Sequence, residues 1–223
     1  MRIADLGTRN LELRTRTVNG ERCEAMDWDR RYQTGDTPWD KGAPAPPLLE
    51  WLQIRGPLHG KILVPGCGYG HDGRAIAAAA ADAKVTGIDI SPLAIDRARQ
   101  YPVVGQEVYQ IGDLFNPRQE DLGQFQWAFE HTCFCAINPE RRLDYVRAIA
   151  GALQAGGLLL AIFYLNPWDL GEAPPEGGPP FGVSIAELDQ LFDPVFDRLE
   201  ELHPRSSYPG REGREILRLL QKR

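Results

Sequence analysis

The sequence predicts a doubly wound α/β sheet, and three observations support this fold class. Apolar, strand-like runs alternate with helix-like segments from residue 61 onward, which is typical of sheets with helical crossovers. Residues 158–165 are almost wholly apolar, as in a central strand that is covered on both faces. The helix-like segments open on capping signals. We expect a single domain over residues 1–223, with an N-terminal lid segment at about 20–55.

Seven strands and four main helices follow from these patterns. Alanines favour the first helix, and Ser91-Pro92 and Asn138-Pro139 each pair an N-cap with a proline at the first helical position. Ser184 and Glu187 form a capping box. The helices are expected at residues 71–83, 92–100, 139–153 and 185–193. The strands are expected at residues 61–64, 85–89, 107–111, 126–132, 158–165, 195–202 and 214–220.

Two segments outside this alternation are candidates for a cover over a binding site. Residues 28–51 are rich in Trp and Pro, with a short helix expected from Pro47 to Leu52. Residues 166–183 form a long loop rich in Pro and Gly, and loops of that length often act as lids. Both segments are therefore expected to close over the functional site.

Composition argues against several classes of partner. The net charge of −6 disfavours nucleic acid, whose binding depends on clustered Lys and Arg. There is no apolar run long enough for a membrane span and no signal peptide pattern, so we expect a cytoplasmic protein. The four cysteines lack a disulfide or C-x-x-C pattern and are expected to be reduced and buried.

A glycine loop is the first candidate for a cofactor site. Gly66, Gly68 and Gly70 follow the first strand, at the sheet edge where open α/β sheets bind ligands. Asp89 ends the second strand, where an acid can accept the ribose hydroxyls of a nucleoside. Counted from Gly66, the G-x-G-x-G spacing differs from the G-x-G-x-x-G of dinucleotide-binding proteins. Gly68, Gly70 and Gly73 do fit that pattern, but they begin well beyond the end of the strand. A nucleoside cofactor other than NAD is therefore favoured.

The end of the third strand offers a partner for the base of such a cofactor. Asp113 could accept the exocyclic amine of an adenine, with Leu114 or Phe115 against the ring. The alternative is an ordinary turn aspartate. His131, Cys133 and Cys135 would share one face of the fourth strand, but a zinc site needs further ligands, and we expect no metal.

Five blocks of sequence resemble the thiopurine S-methyltransferase family, a group of class I S-adenosylmethionine-dependent methyltransferases. Within that family they resemble the thiol/halide methyltransferases of plants and bacteria. The T-P-W-D and G-G-P-P-F motifs are the most specific of them. The blocks are W-D-R-R-Y at 28–32, T-P-W-D-K-G at 37–42, L-V-P-G-C-G-Y-G-H-D at 63–72, C-F-C-A-I-N-P-E at 133–140 and E-G-G-P-P-F-G-V-S at 176–184.

The resemblance implies a fold, a reaction and a set of site residues. The fold would be a Rossmann-like seven-stranded sheet, mostly parallel with the last strand antiparallel. The reaction would move a methyl group from S-adenosyl-L-methionine to a small soft nucleophile, with S-adenosyl-L-homocysteine as product. The cofactor-binding residues would be Trp28, Tyr32, Trp39, Gly66, Gly68, Asp89, Asp113, Leu114 and His131.

The residues expected near the methyl acceptor differ from those of the related enzymes. Glu130-His131 stands where the thiol/halide methyltransferases often carry Asp-Tyr, and Tyr32 stands where they can have Trp. His131 and Tyr164 are the candidates for removing a proton from a neutral thiol. An aromatic pocket is expected from Trp28, Trp39, Phe134, Tyr164 and Phe181.

Several alternatives stay open at this point. A thiol, bisulfide, thiocyanate, halide or thiopurine would each fit as acceptor, and the oligomeric state is undetermined. The rival functions are an NAD-dependent oxidoreductase, a nucleic-acid methyltransferase and a non-catalytic protein that binds a nucleotide cofactor. The segment after the fourth strand reads E-H-T-C and lacks the Asn/Asp-Pro-Pro-aromatic motif of enzymes that methylate DNA amines.

Overall fold

The computed structural model describes residues 26–118, 121–168 and 178–223. Cys23, the first residues of the expected N-terminal lid segment and the middle of the loop at 166–183 lie outside them. The described residues form six α-helices and seven strands. The helices are α1 Trp28–Thr34, α2 Pro46–Arg55, α3 His71–Ala79, α4 Pro92–Gln100, α5 Arg142–Ala152 and α6 Ile185–Phe192. The strands are β1 Lys61–Pro65, β2 Lys84–Asp89, β3 Gln106–Ile111, β4 Phe125–His131, β5 Leu153–Tyr164, β6 Phe196–Leu202 and β7 Glu215–Lys222.

All seven strands belong to one sheet with the order β3-β2-β1-β4-β5-β7-β6. The pairs from β3 to β5 are parallel, whereas β7 runs antiparallel to both β5 and β6. The order reverses between β1 and β4, so the carboxyl ends of these strands form the crevice in which such sheets bind ligands. The predicted seven-stranded, mostly parallel sheet with an antiparallel last strand is confirmed.

The core lies on both faces of the sheet. Strand β5 shows this directly, because Leu159, Ala161 and Phe163 pack with α5 and α6, whereas Leu160 and Ile162 pack with α2 and α3. Alternate side chains of a strand point to opposite faces. The wholly apolar composition of this strand therefore reflects burial on both faces, as the sequence predicts.

One predicted helix end is displaced because the next strand must pair in the sheet. Helix α3 ends at Ala79, before the expected residue 83, because Ala80 is already extended and the chain must reach Lys84, which pairs with Lys61. Strand pairing here overrides the preference of alanine-rich residues for helix. Helix α5 ends at Ala152, within one residue of its expected end.

The segment after β4 differs from the prediction. The strand ends at His131, and Thr132 has a φ of 61°, which a residue in a strand does not adopt. Short 3-10 helices follow at Phe134–Ala136 and Pro139–Arg141. The prediction that His131, Cys133 and Cys135 share one strand face is therefore wrong.

Helix α1 was not predicted from the Trp- and Pro-rich composition of its segment. The side chain of Asp27 accepts a hydrogen bond from the Arg30 amide and caps the helix, and Gly35 closes it in the left-handed conformation. Both signals, an N-cap aspartate and a closing glycine, can be read from the sequence.

Tyr109 of β3 supports the glycine loop from below. Its hydroxyl donates to the carbonyl of Gly70 at 2.9 Å. A Cβ atom at Gly70 or Gly87 would lie 2.5 or 2.6 Å from the tyrosine ring, and one at Gly73 would lie 3.0 Å from its hydroxyl. The ring occupies the space that three missing side chains leave.

Candidate functional site

The glycine loop joins β1 to α3 at the carboxyl edge of the sheet. Gly66, Gly68 and Gly70 all have positive φ, a conformation that favours glycine. At Gly66 a Cβ atom would also lie 2.8 Å from the Cys133 sulfur. Gly70 caps α3, so the loop presents the first amides of that helix, where anionic and polar groups bind.

Asp89 lies beside this loop with both carboxylate oxygens held in place. One oxygen accepts the amide of Gly68 and the other accepts the amide of Ser91, each at 2.9 Å. Burial raises the pKa of Asp89, and the two amide donors oppose that rise. Because a carboxylate has about four acceptor sites, Asp89 can also accept a ribose hydroxyl.

Asp113 and Leu114 follow the end of β3, as predicted, but in different environments. Asp113 is exposed, and its side chain accepts the amide of Phe115 at 2.9 Å. Leu114 is buried and belongs to the core. The carboxylate is therefore accessible to a ligand at this edge, whereas most of the leucine side chain packs inward.

Trp28, Tyr32 and Trp39 form one aromatic cluster above the glycine loop. Trp39 makes edge contacts with both of the others, at ring distances of 5.4 and 5.6 Å, and its Nε1 donates to the Tyr32 hydroxyl at 3.3 Å. A Cβ atom at Gly68 would lie 3.2 Å from that hydroxyl. Burial and nearby Asp89 raise the pKa of Tyr32, so its phenol is neutral.

The side chain of Asp29 attaches the start of residues 28–45, which we call the N-terminal segment, to α4. It accepts the Ser91 hydroxyl at 2.5 Å and the Leu93 amide at 3.3 Å. Both donors lie at the amino end of α4, where a carboxylate is also favoured by the helix dipole.

The end of the segment is fixed by the first turn of α3. Asp40 lies 3.2 Å from His71 Nε2, and Asp72 accepts the amide of Ala45 at 2.6 Å. Tyr208, from the connection between β6 and β7, donates to the carbonyl of Ala43. The segment is thus held at both ends, by α4 and by the first turn of α3.

A cleft of about 60 Å³ lies between this segment and the loop. It is several times smaller than typical small-molecule pockets of about 300–1,000 Å³. A volume of this size suits a small molecule. Residues that line it include Tyr32, Trp39, Gly66, Gly68, His131 and Tyr208.

His131 lines the cleft with both ring nitrogens engaged. Its Nδ1 lies 2.9 Å from the carboxylate of Asp72, and its Nε2 lies 3.3 Å from the Arg211 guanidinium. The ring stacks on Tyr208 at 6.0 Å. Nε2 also lies 4.0 Å from the carboxylate of Glu215. The imidazole therefore sits at the centre of a network of charged groups.

Tyr164 is set back from the cleft. It ends β5 opposite Glu215, is not among the residues that line the cleft, and carries the Arg211 guanidinium 4.7 Å above its ring. Its link to His131 runs through Arg211. Phe134 was expected in the aromatic pocket, but it is buried in the core against Tyr145 and Phe163, so that prediction is wrong.

Arg142 at the start of α5 holds the end of the loop at 166–183. Its guanidinium contacts Glu187 at 2.6 Å and donates to the carbonyl of Gly182 at 2.9 Å. The amide of Phe181 donates to the carbonyl of Cys135 at 2.7 Å. The described part of the G-G-P-P-F block is thus tied to the segment that follows β4.

The cysteines near the site are thiols rather than thiolates. Burial and nearby Asp89 raise the pKa of Cys67, and burial and Glu130 raise that of Cys133. A thiol is a weak nucleophile and metal ligand. Within residues 26–118, 121–168 and 178–223, no group of three or more His, Cys, Asp or Glu side chains is placed to hold a metal ion.

Sequence reasoning did not assign roles to Asp29, Asp72, Tyr208 and Arg211. Asp72 stands in the quoted G-C-G-Y-G-H-D block, two residues after the last glycine, and this position was a usable signal. Tyr208 and Arg211 come from the connection between β6 and β7, far along the chain, and no motif marks them.

Across the described parts of the chain, no helix has the length and apolar character needed to cross a membrane.

Comparison with known proteins places these features in a family. A profile of the thiopurine S-methyltransferase family matches residues 23–216. The chain is 30% identical over 195 residues to probable thiol methyltransferase 2 of Arabidopsis thaliana, covering 85% of this chain and 82% of that protein. It is 31% identical over 180 residues to thiocyanate methyltransferase 1 of Brassica oleracea, covering 78% of this chain and 75% of that protein.

A solved structure agrees on the fold. The 1,6-didemethyltoxoflavin-N1-methyltransferase of Burkholderia thailandensis, solved with S-adenosylhomocysteine, superposes with a TM-score of 0.66. The match covers 86% of this chain and 84% of that one, at 16% identity. At this identity the likeness concerns the fold alone.

Proposed function

We propose a methyl acceptor from the premise that this chain belongs to the thiopurine S-methyltransferase family. The acceptor is a small soft nucleophile: a thiol, bisulfide, thiocyanate, halide or thiopurine. Membership confirms the family expected from the sequence blocks. The protein is an S-adenosylmethionine-dependent methyltransferase. The observation that carries the assignment is the carboxylate of Asp89, held by the amides of Gly68 and Ser91 at the carboxyl edge of the sheet.

The residues around the loop fit S-adenosylmethionine in their chemistry. Asp89 would accept the ribose hydroxyls, and Asp113 would accept the adenine amine beside Leu114. Gly66 and Gly68 would let the methionine part approach the backbone closely. Trp28, Tyr32 and Trp39 would cover it. When bound, the sulfonium supplies an electrophilic methyl group.

The protein's main task in this reaction is positioning. An in-line displacement releases a neutral thioether, so no acid is needed. A thiolate, bisulfide, thiocyanate or halide arrives as an anion and needs no base. Holding the two reactants in line contributes up to about 7–11 kcal/mol. For a neutral thiol, His131 and Tyr164 are the candidates for removing the proton, and of the two His131 lines the cleft.

We also propose that the segment at 28–42 and the loop at 166–183 form a lid. The contacts of the segment with α4 and α3 support this, because they hold its aromatic residues over the glycine loop. The prediction is that S-adenosylhomocysteine slows proteolytic cleavage in both segments, whereas NADH does not. Equal cleavage with and without S-adenosylhomocysteine would count against the lid.

The decisive experiment is an acceptor screen. The purified protein is incubated with S-adenosylmethionine and, in turn, iodide, bisulfide, thiocyanate, an aryl thiol and a thiopurine, and headspace and solution are analysed for methylated product. We expect turnover with at least one of them, and an Asp89→Ala variant serves as the control for cofactor binding. No product from any acceptor, with S-adenosylhomocysteine still bound in calorimetry, would favour a non-catalytic cofactor-binding protein.

The acceptor is expected to be a small molecule, and the net charge of −6 supports the absence of a nucleic-acid partner. We also expect a cytoplasmic location. Calorimetric titration with NADH tests the oxidoreductase alternative. Tight binding of NADH and none of S-adenosylhomocysteine would overturn the assignment.

A further inference from the structure

The carboxylate of Asp72 joins two parts of the site that are distant in sequence. It lies in the first turn of α3 with 17% of its side chain exposed. One oxygen is 2.6 Å from the amide nitrogen of Ala45, at the end of the N-terminal segment. The other is 2.9 Å from Nδ1 of His131, at the end of β4.

The chemistry of these partners decides which nitrogen of His131 carries the proton. An ionised carboxylate only accepts hydrogen bonds, so Nδ1 of His131 must be the donor. In a neutral imidazole the other nitrogen is then an acceptor. Nε2 lies 3.3 Å from the Arg211 guanidinium, which only donates. Both contacts therefore require the same tautomer.

We propose that Asp72 is a positioning residue that holds His131 in the Nδ1–H tautomer and ties it to the N-terminal segment through Ala45. The consequence for catalysis rests on the function proposed above. With a neutral thiol, Nε2 is the ring atom that can take the proton. Its charged partners are Asp72 on one side and Arg211 and Glu215 on the other.

The proton and electron balance of this step is simple. The S–H bond of the acceptor breaks and its proton goes to Nε2. The sulfur forms a bond to the methyl group as the bond between that methyl and the sulfonium breaks. The imidazolium that results has Asp72 at Nδ1 and Glu215 4.0 Å from Nε2. Arg211 can leave Nε2 and keep a partner, because it already lies 3.4 Å from Glu215.

An amide at position 72 cannot serve both partners. In Asp72→Asn, an oxygen facing the Ala45 amide leaves an NH₂ group facing Nδ1, which forces the proton to Nε2 against Arg211. In the opposite orientation the NH₂ group meets the Ala45 amide and the segment contact is lost. The variant must therefore change either the tautomer of His131 or the hold on the segment.

Nitrogen-15 NMR of histidine-labelled protein tests this without activity. The spectra are recorded at about pH 9, where imidazole is ordinarily neutral, and His131→Asn assigns one of the four histidines. We expect His131 as Nδ1–H in the wild type. In Asp72→Asn we expect a shift to Nε2–H or faster proteolysis of the N-terminal segment. An Nε2–H signal in the wild type overturns the proposal without any variant.

Asp82→Asn is the matched control. Asp82 pairs with His59 Nδ1 at 2.8 Å, but both side chains are more than half exposed and lie outside the site. This variant should leave the His131 signal and the proteolysis rate at wild-type values. If Asp72→Asn also leaves both unchanged, the proposal is wrong.

A kinetic arm separates this inference from the proposed function. An alkyl thiol must lose a proton near pH 7, whereas iodide has none to lose. We expect Asp72→Asn to lower kcat/KM for the thiol at least tenfold more than for iodide. An equal loss would overturn the link to the thiol proton. If the wild type methylates neither, the proposed function fails, while the NMR result still decides the tautomer.

Discussion

The side chain of Glu130 is buried, and this residue immediately precedes the candidate base His131 in the sequence. Its side chain accepts the amide of Phe134 at 2.7 Å and the hydroxyl of Tyr145. Burial raises the pKa of Glu130 to about 7, although the two donors oppose the rise. An unfolded glutamate titrates near 4.3. The folded protein therefore holds an extra proton between about pH 4.5 and 7.

We expect this proton to make the protein less stable as pH rises. Because the folded state binds more protons than the unfolded state in this window, the free energy of unfolding falls from about pH 4.5 to above 7. The full contribution is roughly 4 kcal/mol, because the pKa rises from near 4.3 to about 7 at 1.36 kcal/mol per pKa unit. In Glu130→Gln the amide stands in for the protonated acid, so this part of the pH dependence should disappear.

Urea unfolding at about pH 5 and pH 8 measures the difference. The exposed Glu140→Gln serves as control, since it should keep the wild-type pH dependence. A Glu130→Gln variant that loses as much stability as the wild type between the two pH values would show that Glu130 is ionised throughout.

Asp89→Ala is the corresponding test of the cofactor site. The substitution removes a carboxylate that would accept ribose hydroxyls, and hydrogen bonds to charged groups contribute about 1.5–3 kcal/mol. We expect the Kd for S-adenosylhomocysteine to rise by about 10- to 100-fold in calorimetry. The exposed Asp96→Ala in α4 should bind as the wild type does. An unchanged Kd in Asp89→Ala would remove Asp89 from the ribose site.

At the scale of elements, α1 offers two aspartates with separable roles. Asp27 caps α1 itself by accepting the Arg30 amide at 2.9 Å. Asp29 reaches across to Ser91 and Leu93 at the start of α4. Loss of a cap costs about 1 kcal/mol of helix stability, whereas loss of Asp29 should detach a folded helix from its neighbour.

We expect Asp29→Ala to increase proteolysis of the N-terminal segment. It should also weaken S-adenosylhomocysteine binding, because Trp28 and Tyr32 lie on α1. Asp27→Ala should show the smaller change in both measurements. Limited proteolysis with and without ligand, followed by calorimetry, compares the two variants. If Asp27→Ala had the larger effect, formation of α1 rather than its contact with α4 would limit closure of the N-terminal segment.

Elements with strong local signals were predictable, and those shaped by distant contacts were not. Helices α4 and α6 begin where Ser91 and Ser184 cap them. The end of α3 depends on Lys84 pairing with Lys61, which no local pattern records.

The candidate site shows the same division. Gly66, Gly68 and Asp89 stand at strand ends, where topology alone brings them together. Tyr208 and Arg211 reach His131 only because β7 returns antiparallel beside β5. Their role follows from the pairing of two strands that lie far apart in the chain. No motif in the sequence marks that pairing.

For the whole molecule, we predict one cooperative unfolding transition, because the expected single domain has one continuous sheet. S-adenosylhomocysteine at about 100 times its Kd should stabilise the folded state by about 2.7 kcal/mol. Differential scanning calorimetry with and without ligand would show one peak that moves to higher temperature. Two peaks, of which one responds, would instead indicate that the N-terminal segment unfolds independently.

The tyrosine beneath the glycine loop limits the order in which this sequence can change. A methyl group added at Gly70 or Gly87 would meet the ring of Tyr109 at 2.5 or 2.6 Å. An alanine at Gly87 is therefore accessible only after Tyr109 has become smaller, whereas a smaller residue at 109 leaves a void until a glycine is filled. Such pairs are epistatic, and libraries that vary these positions one at a time will miss the combinations that fold.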